Sequence, residues 1–259
     1  MKAIGIIPAR MGSSRFPGKP MSTLLGMPMI GHCYHRTRLA SGLEQVYVAT
    51  CDEVIVNYVK SIGGTAVMTA KNHNRATTRT AEALETIENE TGNRFDVVIM
   101  VQGDEPLISP EAIGETLRHF DDPAVNIVNV MSKMRSLESF LNKNNVKVVV
   151  NQKGDALYFS REAIPSPWKG WEHLPRYMQT GIIAFRHDVL LDFNAMHETP
   201  LEQFESVDMN RVLETGGNIR MVAIEDYTIG VDTNEELLEA EAALYKDATV
   251  SRYLNFKEK

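Results

Sequence analysis

The chain has 259 residues, 43% of them hydrophobic and 24% charged, with a formal net charge of -7, enough for one large α/β domain or two small ones. An acidic chain lacks the basic face that general nucleic-acid binding needs. The two separated cysteines, Cys33 and Cys51, form neither a zinc site nor a disulfide framework.

Residues 3–7 (AIGII) read as a buried strand, too short for a membrane span or the apolar core of a secretory leader, so a cytoplasmic protein with no membrane partner is expected. PARMGSSRFPGKP follows. It combines small residues, prolines and the cations Arg10, Arg15 and Lys19, and the first acidic residue of the chain comes only at Glu44. In open parallel sheets ligands bind beyond the carboxyl ends of the strands, where this loop begins. Its glycines and serines let backbone N–H groups approach an anion, and its cations neutralise one. It is not a Walker A loop: five residues separate Gly12 from Gly18, and Pro20 replaces the metal-binding hydroxyl and disfavours helical geometry at Lys19. It reads as a phosphate loop of another kind.

Pro28 then opens a helix, PMIGHCYHRTRLASG, closed by Gly42, on which His32 and His35 are surface or packing residues. EQVYVAT (44–50) is a strand, DEVIVNYVKSIGG a helix ending at Gly63-Gly64, TAVM (65–68) a short strand, and ATTRTAEALETIENETG a helix. FDVVIMV (95–101) is a second apolar strand. In SPEAIGETLRHF, Ser109 caps a helix with Pro110 at its first position. Alternating strands and helices imply a mostly parallel sheet covered on both faces. VKVVVNQKGDALYFS then reads as two strands joined by a turn at residues 152–155, and YMQTGIIAFR as another. TPLEQFESVDMNRVLETGG is expected to be one helix, carrying Glu205, Asp208 and Arg211 at ion-pair spacing. NIRMVAIED is a strand, and TNEELLEAEAALYK a terminal helix capped by Thr233 or Asn234.

Several of these segments together resemble the acidic-sugar cytidylyltransferases, and within them the 3-deoxy-manno-octulosonate (KDO) cytidylyltransferase family, the CMP-KDO synthetases. They are Pro8-Ala9-Arg10, Ser13-Ser14-Arg15, Pro17-Gly18-Lys19-Pro20, GMPMI (26–30), VQGDEP (101–106), VKVV (146–149), ALYFSR (156–161) and GVDT (230–233). The similarity runs nearly end to end. It implies one domain over 1–259: a Rossmann-like α/β fold of the nucleotide-diphospho-sugar transferase type, with a small β-rich insertion at about 140–190 used for dimerisation. It also implies a CTP-dependent transfer of CMP to a hydroxyl of an acidic sugar, KDO or an amino- or deoxy-variant, with release of pyrophosphate.

The resemblance assigns Pro8, Ala9, Arg10, Ser13, Arg15, Lys19, Thr77, Arg79 and Gln102 to the nucleotide, with Arg10, Arg15 and Lys19 also catalytic. Asp104 and Asp232 would hold Mg²⁺, which favours carboxylates together with phosphate oxygens, although Asp232 could also cap the last helix. Arg75, Gln102, Arg161, Gln179 and Glu205 would meet the acceptor; Glu205 is explained as well by a structural ion pair. Trp168 and Trp171 read as part of a flap or interface. The chain departs from the family in two places. His-x-Ser-Gly-Thr-Asp/Glu-Arg becomes His73-Asn74-Arg75-Ala76-Thr77-Thr78-Arg79, and a histidine before Gly-Ile-Tyr becomes Gln179. Both fall near nucleotide and sugar in the family, so an altered acceptor is expected, with KDO a poorer substrate than usual. The rival readings are a cytidylyltransferase for a different carboxylate- or phosphono-bearing alcohol, and a non-catalytic nucleotide-binding protein.

Overall fold

The first apolar run forms β1 (Ala3–Ala9), buried at every position, as a strand covered on both faces must be. The protein is described from a computed structural model covering residues 1–12, 15–226 and 228–254. It divides into two compact units, residues 1–114 with the segment from 228 onward, and residues 115–227.

In the first unit β1 is followed by a two-residue hairpin, β2 (Thr23–Leu24) and β3 (Met27–Pro28), and by α1 (Met29–Arg38). Then come β4 (Gln45–Thr50), α2 (Glu53–Ser61), β5 (Thr65–Met68), α3 (Ala76–Thr91), β6 (Val97–Val101) and the start of α4 (Pro110–Arg118). The strands run parallel in the order β6-β1-β4-β5. Ala9 stands opposite Thr50 and Thr50 opposite Met68, so these strands end level, and the loops after them emerge along one edge. The helix opened by Pro28 stops at Arg38, before Gly42. Its end tightens, with Leu39 N and Ala40 N donating to Arg36 O and Thr37 O. His32 is fully buried: Nε2 bonds Leu24 O and Nδ1 bonds Tyr253 Oη, each at 2.8 Å, while His35 stacks on Tyr253. Both histidines are therefore packing residues.

In the second unit β7 (Ile127–Lys133) lies between β10 (Tyr177–Arg186), antiparallel to it, and β11 (Arg220–Ile224), parallel to it. The predicted hairpin is present as β8 (Lys147–Val150) and β9 (Ala156–Ser160), with Gly154 in the left-handed conformation at its turn and β8 also pairing β10. Strand β7 has no counterpart among the elements expected from sequence, because Asn129 interrupts its apolar run. The structure accounts for that residue. Between Gln179 and Ile183 the register of β10 against β7 shifts, and the buried Asn129 amide donates to Val130 O, Thr180 O and Ile182 O there. Helices α5 (Leu137–Leu141) and α6 (His187–Ala195) were likewise not anticipated.

The helix expected over TPLEQFESVDMNRVLETGG is two helices, α7 (Pro200–Glu205) and α8 (Met209–Glu214), broken at Ser206 with φ +52°. The buried Glu202 explains the break. It takes a bidentate ion pair from Arg211, 2.7 Å to Nε and 2.6 Å to Nη2. In a straight helix these two residues would lie on opposite sides and be separated by about 13 Å of rise. The expected row of Glu205, Asp208 and Arg211 gives way to this pair, and Glu205 is used elsewhere.

In the first unit α9 (Asn234–Leu244) is capped by a reciprocal box between Thr233 and Glu236, and a short 3₁₀ segment, Ala248–Arg252, follows it.

Candidate functional site

The first unit's strand ends carry a cleft of about 290 Å³. Pro8, Ala9 and Arg10 continue β1 into it, Gln102, Gly103 and Asp104 continue β6, and residues 73–76 and 79 enclose it from the loop before α3 and its first turn. Ser13 lies outside the described residues. Thr77 is buried on α3 and does not line the cleft.

The loop after β1 is fixed at both ends. Met11 N donates to Asp52 Oδ2 at 2.8 Å, which moors the loop to the end of β4. Gly18 takes φ +77°, a conformation open to glycine, and returns its N–H to Met11 O. Lys19, Pro20 and Met21 then form one 3₁₀ turn. The expectation that Pro20 keeps Lys19 out of helical geometry is thus corrected, because a single tight turn suffices and the proline occupies an early position where no N–H is needed.

That turn buries the Lys19 stem and sets its Nζ 2.6 Å from Asp104 Oδ2 and 2.9 Å from Asp232 Oδ1. Arg15 Nη1 stands 2.8 Å from Asp232 Oδ2. Burial, the largest influence on Lys19, favours the neutral amine, but Asp104 and then Asp232 outweigh it and hold the ammonium pKa above its ordinary value. The two aspartates come from segments more than a hundred residues apart in sequence. They are stitched together by Val231 N donating to Asp104 O at 2.9 Å, and by Thr228 Oγ1 donating to the buried Glu105 at 3.1 Å. Asp232 N is held by Glu236 Oε2 at 2.7 Å, and the cap of α9 is Thr233, so the Asp232 carboxylate has no capping duty. The segment after Asp104 is anchored by Arg36 of α1, which donates to Ile108 O and Leu107 O and pairs with Asp247. Sequence reasoning missed Arg36, whose role depends on three segments meeting.

Because one ammonium bonds both Asp104 and Asp232, the two carboxylates are close enough to share a single cation. The described residues contain no cluster of three or more metal-binding side chains. Two carboxylates with further oxygens from phosphate and water is a donor set that suits a hard divalent ion, so the residues present fit such an ion. The cations lining the cleft are Arg10, Arg15, Lys19, Arg75 and Arg79, against the acids Asp104 and Asp232. This excess of positive charge in a chain of net charge -7 suits a small polyanion.

The predicted acceptor residues Arg161, Gln179 and Glu205 lie in the second unit. Glu205 receives Tyr158 Oη, Ser160 Oγ and Arg161 N at 2.9, 2.7 and 2.8 Å. Burial pushes this carboxyl up, yet those three donors outweigh it and hold the pKa below the usual range. The Arg161 guanidinium donates to Glu205 O and Lys143 O, and beneath it the fully buried Lys147 donates to Asn142 O, Asn145 O and Arg161 O. Gln179 Nε2 donates to Asn129 Oδ1 at 2.8 Å. Trp171 stacks under Arg176 and against Phe140, while Trp168 is exposed.

The sequence pattern of the cytidylyltransferase family matches residues 4–224. A 3-deoxy-manno-octulosonate cytidylyltransferase from Pelobacter propionicus is 40% identical over 93% of this chain and 96% of its own. One from Fusobacterium nucleatum is 40% identical over 92% and 94%. Among solved structures, a CMP:2-keto-3-deoxy-manno-octonic acid synthetase in complex with CTP superposes with a TM-score of 0.85, at 37% identity over 95% of this chain and 99% of that one. A glucose-1-phosphate thymidylyltransferase assigned from Bacillus anthracis superposes at 0.67 with 17% identity, a likeness of fold alone.

Proposed function

The chain belongs to the cytidylyltransferase family, and on that footing we propose that it couples CMP from CTP to a hydroxyl of an acidic sugar, 3-deoxy-manno-octulosonate or a close relative, with release of pyrophosphate. The observation that carries the reading is the cleft in which Arg10, Arg15, Lys19, Arg75 and Arg79 surround Asp104 and Asp232.

The reaction forms a bond from the acceptor hydroxyl oxygen to the α-phosphorus and breaks the bond to the β-phosphate bridge, in line. It needs positioning and charge neutralisation rather than a covalent nucleophile. Arg10, Arg15 and Lys19 bind the phosphate oxygens and neutralise the charge that builds on departing pyrophosphate. Asp104 and Asp232 would hold a divalent ion, assigned as Mg²⁺, which when bound polarises phosphate oxygens and favours loss of the acceptor proton. Gln102 at the end of β6 and Arg75 beside α3 contribute polar groups to the same cleft. In the second unit, Arg161, Gln179 and Glu205 are assigned to the acceptor, with Glu205 fixing the backbone of Arg161.

Pyrophosphate release from CTP with a panel of acidic sugars tests the reading, together with Asp104→Asn. Release dependent on CTP and a divalent ion, lost by orders of magnitude in the variant at unchanged melting temperature, is the expected result. Equal turnover of ATP, or full activity in excess chelator, would refute it. We also infer a homodimer built on the second unit. Leu141, Leu157, Trp168 and Phe204 are all exposed there, a load that usually finds a partner; sedimentation as a monomer at micromolar concentration would count against it. The reading places the enzyme in the cytoplasm, where CTP is available. No helix among the described residues is long and apolar enough to cross a membrane.

A further inference from the structure

Two of the cleft's cations, Arg10 and Arg79, are aimed by one short loop. That loop, residues 69–75, leaves the carboxyl end of β5 and enters α3. Arg10 Nη1 donates to His73 O at 3.1 Å. Arg79 Nη1 donates to Ala70 O at 3.3 Å and to Thr69 Oγ1. Arg79 is 3% exposed, and its Nη2 is buried with no hydrogen-bond partner among the described residues. A buried guanidinium with an unused donor, in the wall of a cleft built for phosphate, is a group waiting for an acceptor.

The loop itself is held by Glu82, on α3, which does not line the cleft. Its carboxylate accepts Ala70 N through both oxygens, at 3.0 and 3.2 Å, and accepts Nε2–H of His73. The other ring nitrogen of His73 bonds Thr78 Oγ1 at 3.0 Å, and that hydroxyl bonds Arg75 O. Glu82 therefore grips the loop at the two residues, Ala70 and His73, whose carbonyls orient Arg79 and Arg10.

We propose that Glu82 is a positioning residue for nucleotide binding, which acts through Ala70 and His73 to aim Arg79 and Arg10 at the phosphates. The inference rests on the reading that this cleft takes the phosphates of CTP. With the carboxylate gone, the loop keeps its connection to β5 and α3, but its carbonyls are no longer fixed, and both arginines lose their orientation. A purely structural role for Glu82 would change melting temperature and leave affinity alone.

The test is a thermodynamic cycle by calorimetry on wild type, Glu82→Ala, Arg10→Ala and the double variant, with CTP and with inorganic tripolyphosphate as probes. Glu82→Ala is expected to weaken both probes roughly tenfold, the effect of misdirecting a charge-assisted hydrogen bond. In the Arg10→Ala background it is expected to weaken them by a smaller factor, since one of its two routes is already absent. Glu82→Gln, whose amide oxygen still accepts from Ala70, is expected to fall between, and it carries the same cycle if the alanine variant does not fold. Unchanged affinity, or the same factor in both backgrounds, overturns the proposal. Failure of wild type to bind CTP refutes the functional reading instead, and the tripolyphosphate cycle still decides the role of Glu82.

Discussion

Lys19→Met removes the ammonium between Asp104 and Asp232 while keeping an unbranched stem of similar length. Taking away one partner of a buried ion pair commonly costs about 3–5 kcal/mol, because the charge left behind is uncompensated. Here the aspartate side chains are 30% and 21% exposed, and Arg15 stays 2.8 Å from Asp232. Water and Arg15 therefore take up part of the loss, and we expect about 2–3 kcal/mol, a melting temperature lower by roughly 5 °C. The Lys19 pKa is raised above 10.5 in the folded protein. A base with a raised pKa stabilises fully below its unfolded value and loses that contribution only as pH rises through the folded one. The deficit of the variant should thus be constant from about pH 6 to 9, well under the titration of Lys19 in either state. The same geometry predicts a response to metal. In wild type without nucleotide, Lys19 and Arg15 together already balance the two carboxylates, so millimolar Mg²⁺ should move the melting temperature little. In Lys19→Met the ion should recover part of the loss. On the proposed mechanism turnover should still fall about a hundredfold or more, because the charge assigned to the phosphates is gone. Differential scanning fluorimetry with and without Mg²⁺, beside a pyrophosphate-release assay, makes the measurement. No loss of stability, or an equal response to Mg²⁺ in both proteins, would refute the reasoning.

Burial lowers Lys147 to about 8 from 10.5. The unfolded chain then binds the extra proton between those values, and wild-type stability should gain relative to Lys147→Met as pH rises from about 8 to 10.5; denaturant titrations at pH 7 and 10 read this, and a constant difference would show that Lys147 keeps its proton throughout. Glu202→Ala strands the buried Arg211 guanidinium and should cost about 3–5 kcal/mol, while replacing Glu202 and Arg211 together should cost less than the sum of the single changes by chemical denaturation. Arg75→Ser and Gln179→His return the two departures from the family to its usual residues. They should raise kcat/KM for KDO relative to amino- and deoxy-variants, and an unchanged ratio in both would mean that neither departure acts on the acceptor.

How much could be read from the sequence varies with the range of the forces involved. Strand β1, the loop after it, the parallel βα units and the hairpin at Gly154 are governed by local rules: apolar runs, glycine at positive φ, caps at Ser109 and Thr233. The excess of cations before Glu44 already pointed to a polyanion, and the family resemblance placed Asp104 and Asp232 in one site before any distance was known. The rest depended on groups brought together across the fold. Asn129 hid β7 because its side chain looks polar in sequence but fills a β-bulge in space. Glu202 and Arg211 broke an expected helix because a buried charge must find its partner whatever the local periodicity favours. The contacts of Lys19 with two aspartates and of Arg36 with the Asp104 segment depend on residues distant in the chain, while Glu82 grips a loop 9 to 12 residues before it that no motif marks. Local propensity decided which elements form, and the need to pair every buried charge and polar group decided where they break and what they hold.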